Sequence, residues 1–169
     1  DEFTVNIALV DNGTPTLGVV YAPAINRLFY TLTKKTAVEE LTPFNETTIG
    51  KFKPLHVAKP DNSALTVIAS KSHRGQETDE YISNYKVRNS KSSGSSLKFC
   101  LLAAGEADFY PRLGRTMEWD TAAGDAILRA AGGTVVDFET QEPLAYGKAG
   151  YENPFFIALT NGVKLLKNY

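Results

Sequence analysis

One cysteine, two histidines, one tryptophan and one methionine are all that this 169-residue sequence holds of those types. Cys100 cannot close an internal disulfide. Its place in an apolar helical pattern fits a reducing compartment, so a cytoplasmic protein is expected. Two histidines argue against a His-rich zinc site, and no Cys pair, H-E-x-x-H, G-x-S-x-G or Walker loop occurs. An excess of one charge is also missing. The chain carries 18 Lys+Arg against 19 Asp+Glu, a net charge of −1. A general nucleic-acid binder needs a basic stripe to release counterions, and that class is excluded. The longest apolar runs, 99–104 and 155–159, fall far short of the ~18 residues of a membrane span. Nor do the first residues follow the charged-then-apolar pattern of a secretory leader.

What remains is an ordinary globular balance, 43% apolar and 22% charged. A chain of this size suits one domain that buries roughly 68–70% of its unfolded surface. Phe3, Val5, Ile7 and Leu9 alternate with smaller or polar residues, the period of a half-buried strand. Asp11-Asn12-Gly13 is a turn, Leu17 to Tyr21 a second strand, and Leu28, Tyr30 and Leu32 mark a third. An antiparallel meander opening a mixed sheet follows from these. It starts on Asp1 with nothing to cover its edge, as in a domain that begins abruptly or in a piece of a longer protein. Further strands are expected at 51–59, 65–70, 107–110, 134–138 and 155–159. Helices are expected at 78–85, 97–104 and 121–131, with a closing helical turn at 163–167. The run 89–94 reads as a polar loop. An α/β fold results.

Four segments can carry chemistry. In Trp119-Asp120-Thr121-Ala122-Ala123-Gly124, Asp120 falls at the expected N-cap of the strongest helix. Ala122 and Gly124 keep that helix start thin enough for close approach. Asp120 is there either as a cap or as an oxygen ligand of a hard cation such as Mg²⁺. Gly94-Ser95-Ser96-Leu97-Lys98 opens another helix with free N–H groups and hydroxyls, which suits an anion or an ordinary Ser cap. Lys98 in a first turn opposes the helix dipole, and a bound phosphate would reverse that sign. Ser70-Lys71-Ser72-His73-Arg74 ends an apolar strand, where α/β sheets place ligands, although a solvated loop has the same composition. Arg112 lies close enough in sequence to reach the same place, to bind an oxyanion or to pair with Glu118 on the surface.

In this order the segments resemble the C-terminal part of the inositol monophosphatase-like, metal-dependent phosphatases, and most of all their 3'(2'),5'-bisphosphate nucleotidase branch. The resemblance rests on Glu2-Phe3-Thr4-Val5-Asn6-Ile7-Ala8-Leu9, Ser70-Lys71-Ser72-His73, Gly94-Ser95-Ser96-Leu97-Lys98-Phe99-Cys100 and Glu118-Trp119-Asp120-Thr121-Ala122-Ala123-Gly124. It implies that Asp120 is a ligand of a site for two or three Mg²⁺ ions. It implies too that His73, Gly94, Ser95, Ser96, Lys98, Arg112 and Asp120 meet the substrate, a small phosphorylated nucleotide. The implied reaction is hydrolysis of 3'-phosphoadenosine 5'-phosphate to AMP, extending to its sulfated analogue, with lithium as inhibitor. The implied fold is the second lobe of a layered αβαβα sandwich, over residues 1–169. A homodimer is compatible with it. The family's Glu pair and D-P-[IL]-D-G-T run would lie upstream. The missing N-terminal, metal-binding half is thus an expected partner, and the chain alone is expected to be inactive. An inositol or sugar monophosphatase and a non-catalytic nucleotide-binding lobe are the alternatives.

Overall fold

A computed structural model describes residues 3–45, 47–71 and 75–166. The first strands, β1 (Val5–Asp11) and β2 (Thr14–Ala22), are joined by Asn12 and Gly13 at φ 48° and 76°. Two left-handed residues in a two-residue loop match the right-handed twist of the flanking strands, which is why Asn-Gly forms hairpins. Next come β3 (Arg27–Thr33), β4 (Thr36–Glu40) and β5 (Phe52–Pro54), giving an antiparallel sheet in the order β1-β2-β3-β4-β5. Then follow β6 (Leu65–Ser70), α1 (Gln76–Ser83), β7 (Val87–Ser93), α2 (Leu97–Ala103) and β8 (Phe109–Arg112). The described elements end with α3 (Glu118–Ala130), β9 (Gly133–Asp137) and β10 (Phe156–Thr160). These strands make a second, mixed sheet in the order β7-β6-β8-β10-β9.

The pattern of apolar residues joins the meander to one mixed sheet; the structure separates them into two. Helices α2 and α3 lie between. One core cluster takes Val20 and Phe29 from the first sheet, Phe99, Leu102, Ala123 and Ile127 from the helices, and Ile68 and Phe156 from the second sheet. Leu65, Val67, Phe109 and Ile157 face the other way, against Tyr81 and Ile82 of α1. Sheet, helix pair, sheet and helix thus stack as four layers.

Several local expectations need correction. The polar run 89–94 is largely strand: β7 pairs in parallel with β6, and its residues are polar because most of this edge strand is exposed. β4 has no period-two signal because it ends on Glu39 and Glu40, both buried. Arg27 holds Glu39 at 2.6 Å and Lys53 holds it at 2.7 Å. Glu40 accepts from Tyr30 Oη at 2.8 Å and from the Gly50 amide at 3.0 Å. Of the strand expected at 51–59, only β5 forms. α1 starts at Gln76 rather than at 78. Residues 163–166 are not helical, and 167 lies outside the described residues.

α3 is held close on both sides by small residues. A Cβ on Gly18 of β2 would overlap the carbonyl of Ala123, and one on Gly124 would sit 2.6 Å from the Phe99 ring. The thin helix start therefore serves packing against β2 and α2. Gly124→Ala is expected to lower stability. Overpacking costs about 1–3 kcal/mol, more than the roughly 0.5–1 kcal/mol that alanine returns inside a helix. Thermal unfolding should show a midpoint several degrees lower; an unchanged or higher midpoint would mean that the Phe99 ring moves aside freely.

Candidate anion-binding site

Strands β6, β7 and β8 run parallel, so their carboxyl ends open on one side of the second sheet. There Ser70, Ser95, Ser96, Lys98, Arg112 and Asp120 line one cavity of about 250 Å³, over a floor formed by Phe99, Tyr110 and Phe156. Crevices at strand carboxyl ends are the usual ligand sites of α/β sheets.

Lys98 is only 4% exposed, which rules out a solvated side chain. Its Nζ donates to the carbonyls of Ser95 at 2.6 Å and Ser93 at 3.3 Å and stands 5.1 Å above the Tyr110 ring. Those contacts curl the side chain back over its own loop and into the cavity. Arg112 is 8% exposed and donates through Nη2 to the carbonyl of Arg115 at 3.1 Å. Two cations this deeply buried are costly unless an anion or a dipole compensates them. Burial raises the Tyr110 phenol far above its ordinary range, so it stays neutral.

Ser95 adopts a left-handed backbone, φ 47°, and its Oγ lies 2.5 Å from Thr4 Oγ1 at the start of the first sheet. A non-glycine residue in that region costs of order 1–3 kcal/mol, and such residues cluster at ligand clamps. Ser96 does not cap α2 with its side chain; its Oγ donates instead to the carbonyl of Asp120 at 2.8 Å, tying the starts of α2 and α3 together. Gly94 lies in the turn feeding Ser95 and does not line the cavity. His73 lies outside the described residues.

Met117, not Asp120, is the N-cap of α3. Asp120 is the third helical residue, and its Oδ2 accepts the Met117 amide at 2.9 Å, the reciprocal half of a capping box. The expected N-cap is corrected by three residues because the helix begins at Glu118. Asp120 Oδ1 takes no hydrogen bond among the described residues and can be given to a cation. Among those residues no group of three His, Cys, Asp or Glu could hold a metal ion. The described residues therefore offer a divalent cation one ligand at this cavity, Asp120, and not a whole site.

The surface pair of Arg112 with Glu118 does not form. Glu118 instead accepts the amides of Gly147 at 2.8 Å and Lys148 at 3.0 Å and pairs with Lys148 Nζ at 2.7 Å. Burial alone would raise this carboxyl, but the bonds from Lys148 and the two amides hold it below its ordinary value. Behind Asp120, Asn153 Nδ2 donates to Thr116 Oγ1 at 3.2 Å and Thr121 Oγ1 at 3.0 Å, and Tyr146 Oη donates to Thr121 Oγ1 at 3.2 Å. This network locks the turn that carries Asp120. Nothing in the sequence signals it, because its members lie 25 to 37 residues apart.

Two buried cations and a carboxylate thus line one cavity of an α/β protein layered as sheet, helix pair, sheet and helix. The chain belongs to the inositol monophosphatase family, whose profile matches residues 1–161. It is 44% identical over 156 residues to the 3'(2'),5'-bisphosphate nucleotidase CysQ of Escherichia coli, covering 92% of this chain and 59% of that protein. The Haemophilus influenzae CysQ is 30% identical over 162 residues, covering 93% of this chain and 56% of that protein. The chain thus spans less than two thirds of these relatives. The crystal structure of CysQ from Bacteroides thetaiotaomicron superposes with a TM-score of 0.83 at 39% identity, over 94% of this chain and 62% of that one. An Anabaena inositol monophosphatase shares the fold, with a TM-score of 0.72 at 24% identity, over 95% of this chain and 62% of that one. No described helix is long and apolar enough to cross a membrane.

Proposed function

We propose that this chain is the C-terminal, anion-binding part of a Mg²⁺-dependent phosphatase. Its reaction is removal of the 3'-phosphate from 3'-phosphoadenosine 5'-phosphate, giving AMP and phosphate. The observation that carries this reading is the burial of Lys98 and Arg112 around one cavity. A phosphate that stays on the product compensates both, through charge-assisted bonds to the ammonium and the planar guanidinium. The Ser95 hydroxyl sits beside it as a neutral donor when it accepts from Thr4, while Ser96 gives its one proton to the Asp120 carbonyl. Asp120 offers one carboxylate oxygen at the rim, where the scissile phosphate would lie. When bound, Mg²⁺ supplies an activated water and charge stabilisation for the transferred phosphoryl group. Lithium inhibition, action on sulfated nucleotides and a cytoplasmic location accompany this reading.

The remaining ligands would come from residues preceding the chain. Outside the first sheet, Phe3, Val5, Ile7, Leu9, Leu17 and Leu32 are 37% to 65% exposed, and β1 is an open edge. An apolar sheet face of this extent calls for a covering layer. An upstream half bringing the acidic motifs of the family would supply it.

Phosphate release by the complete gene product from a panel of phosphorylated nucleotides and inositols tests the substrate. Lys98→Ala, with Lys98→Met to keep the apolar stem, should cost bisphosphates far more than monophosphates. A charge-assisted contact is worth about 1.5–3 kcal/mol, roughly 10- to 150-fold in kcat/KM. Equal losses on both substrate types would return the protein to the inositol phosphatase reading.

A further inference from the structure

Building on the bisphosphate reading of this site, we propose that Arg115 is a specificity-determining residue of the cavity, a third cation that Glu152 holds until a doubly phosphorylated nucleotide draws it in. Arg115 lines the same cavity as Lys98 and Arg112. Unlike them it is exposed: its side chain is 72% accessible and pairs at 3.3 Å with Glu152, itself 54% accessible. Exposed pairs of this kind contribute little to stability, because water screens them and two long side chains must be ordered. The exchange of partner is therefore inexpensive.

The backbone on both sides is fixed. The carbonyl of Arg115 is held by Arg112 Nη2 at 3.1 Å, Met117 bridges to Glu152, and the Asn153 amide donates to the carbonyl of Thr116 at 3.0 Å. What remains mobile is the side chain, and exposed rotamers exchange within nanoseconds. A guanidinium at the mouth of a cavity already lined by Lys98 and Arg112 meets the solvent-facing oxygens of a phosphate bidentately. A nucleotide with two phosphates on one ribose carries the charge to compete with a single carboxylate. A monophosphate has only the phosphate that must be cleaved, and leaves Arg115 with Glu152.

Two variants of the complete gene product separate this role from a surface staple, because both remove the same ion pair. With adenosine 3',5'-bisphosphate, Arg115→Ala should raise KM about 3- to 10-fold, the lower part of the range for charge-assisted bonds, since the contact is exposed. Glu152→Gln should lower KM severalfold by releasing Arg115, and kcat should change little in either variant. The advantage of wild type over Arg115→Ala should shrink with added salt, as exposed charges are screened. KM moving the same way in both variants, or in neither, overturns the proposal. Failure of the bisphosphate reading looks different: wild type itself would then prefer monophosphates, and Lys98→Met would lower both activities alike.

Discussion

Asp120→Asn in the complete gene product is expected to lower turnover by orders of magnitude while leaving the fold intact. The two roles of this carboxylate separate cleanly in that variant. As a cap, Asp120 accepts the Met117 amide through Oδ2, and an asparagine oxygen accepts the same bond. The helix then loses only the favourable charge near its N-terminus, about 0.3–1 kcal/mol. As a ligand, Asp120 provides an anionic oxygen to a hard cation, and a neutral amide is a much poorer donor for Mg²⁺. Turnover assays on purified protein, with unfolding midpoints alongside, decide between them. Near-normal turnover with a slightly lower midpoint would leave Asp120 a cap and nothing more.

The second large effect is an absence: the 169-residue chain made alone should release no phosphate above background. Mg²⁺ is usually held by one or two carboxylates together with waters and substrate phosphate, and paired ions in phosphoryl transfer sit ~3.5–4 Å apart. One carboxylate cannot set that spacing, and the described residues contain no metal-holding cluster. Lys98 and Arg112, the buried cations of the cavity, both belong to this chain. Weak binding of adenosine 3',5'-bisphosphate, nearly independent of Mg²⁺, is therefore expected by calorimetry. Mg²⁺-dependent hydrolysis by the isolated chain, free of contaminating phosphatase, would show that the active site lies elsewhere.

Parts of this architecture are legible one residue at a time. Asn12-Gly13 specifies a two-residue hairpin because both positions must be left-handed. The periods of β1 to β3, α2 and α3 come from which residues are apolar, so their positions follow without any tertiary contact. β4 and β7 escape because their signals are inverted. Glu39 and Glu40 are buried only because Arg27, Lys53 and Tyr30 reach them from other strands. Asn89, Ser90 and Lys91 are in a strand only because β6 lies beside them.

The site divides in the same way. Lys98, Arg112, Ser95, Ser96 and Asp120 are recognisable as types in the sequence, because hydroxyls and cations suit a phosphate and a carboxylate suits a hard cation beside it. Their meeting around one cavity is set by strand order, which lays β6 between β7 and β8 and aligns their carboxyl ends. Burial of Lys98 is likewise a tertiary outcome: a lysine after a Ser-Ser turn reads as solvated until Tyr110 and the Ser93 and Ser95 carbonyls close over it. Arg115 stays exposed three residues beyond buried Arg112 for the same reason. Periodicity and turn chemistry are near-neighbour properties, carried by the sequence itself. Whether a charge is buried depends on what packs over it, and only the assembled layers decide that.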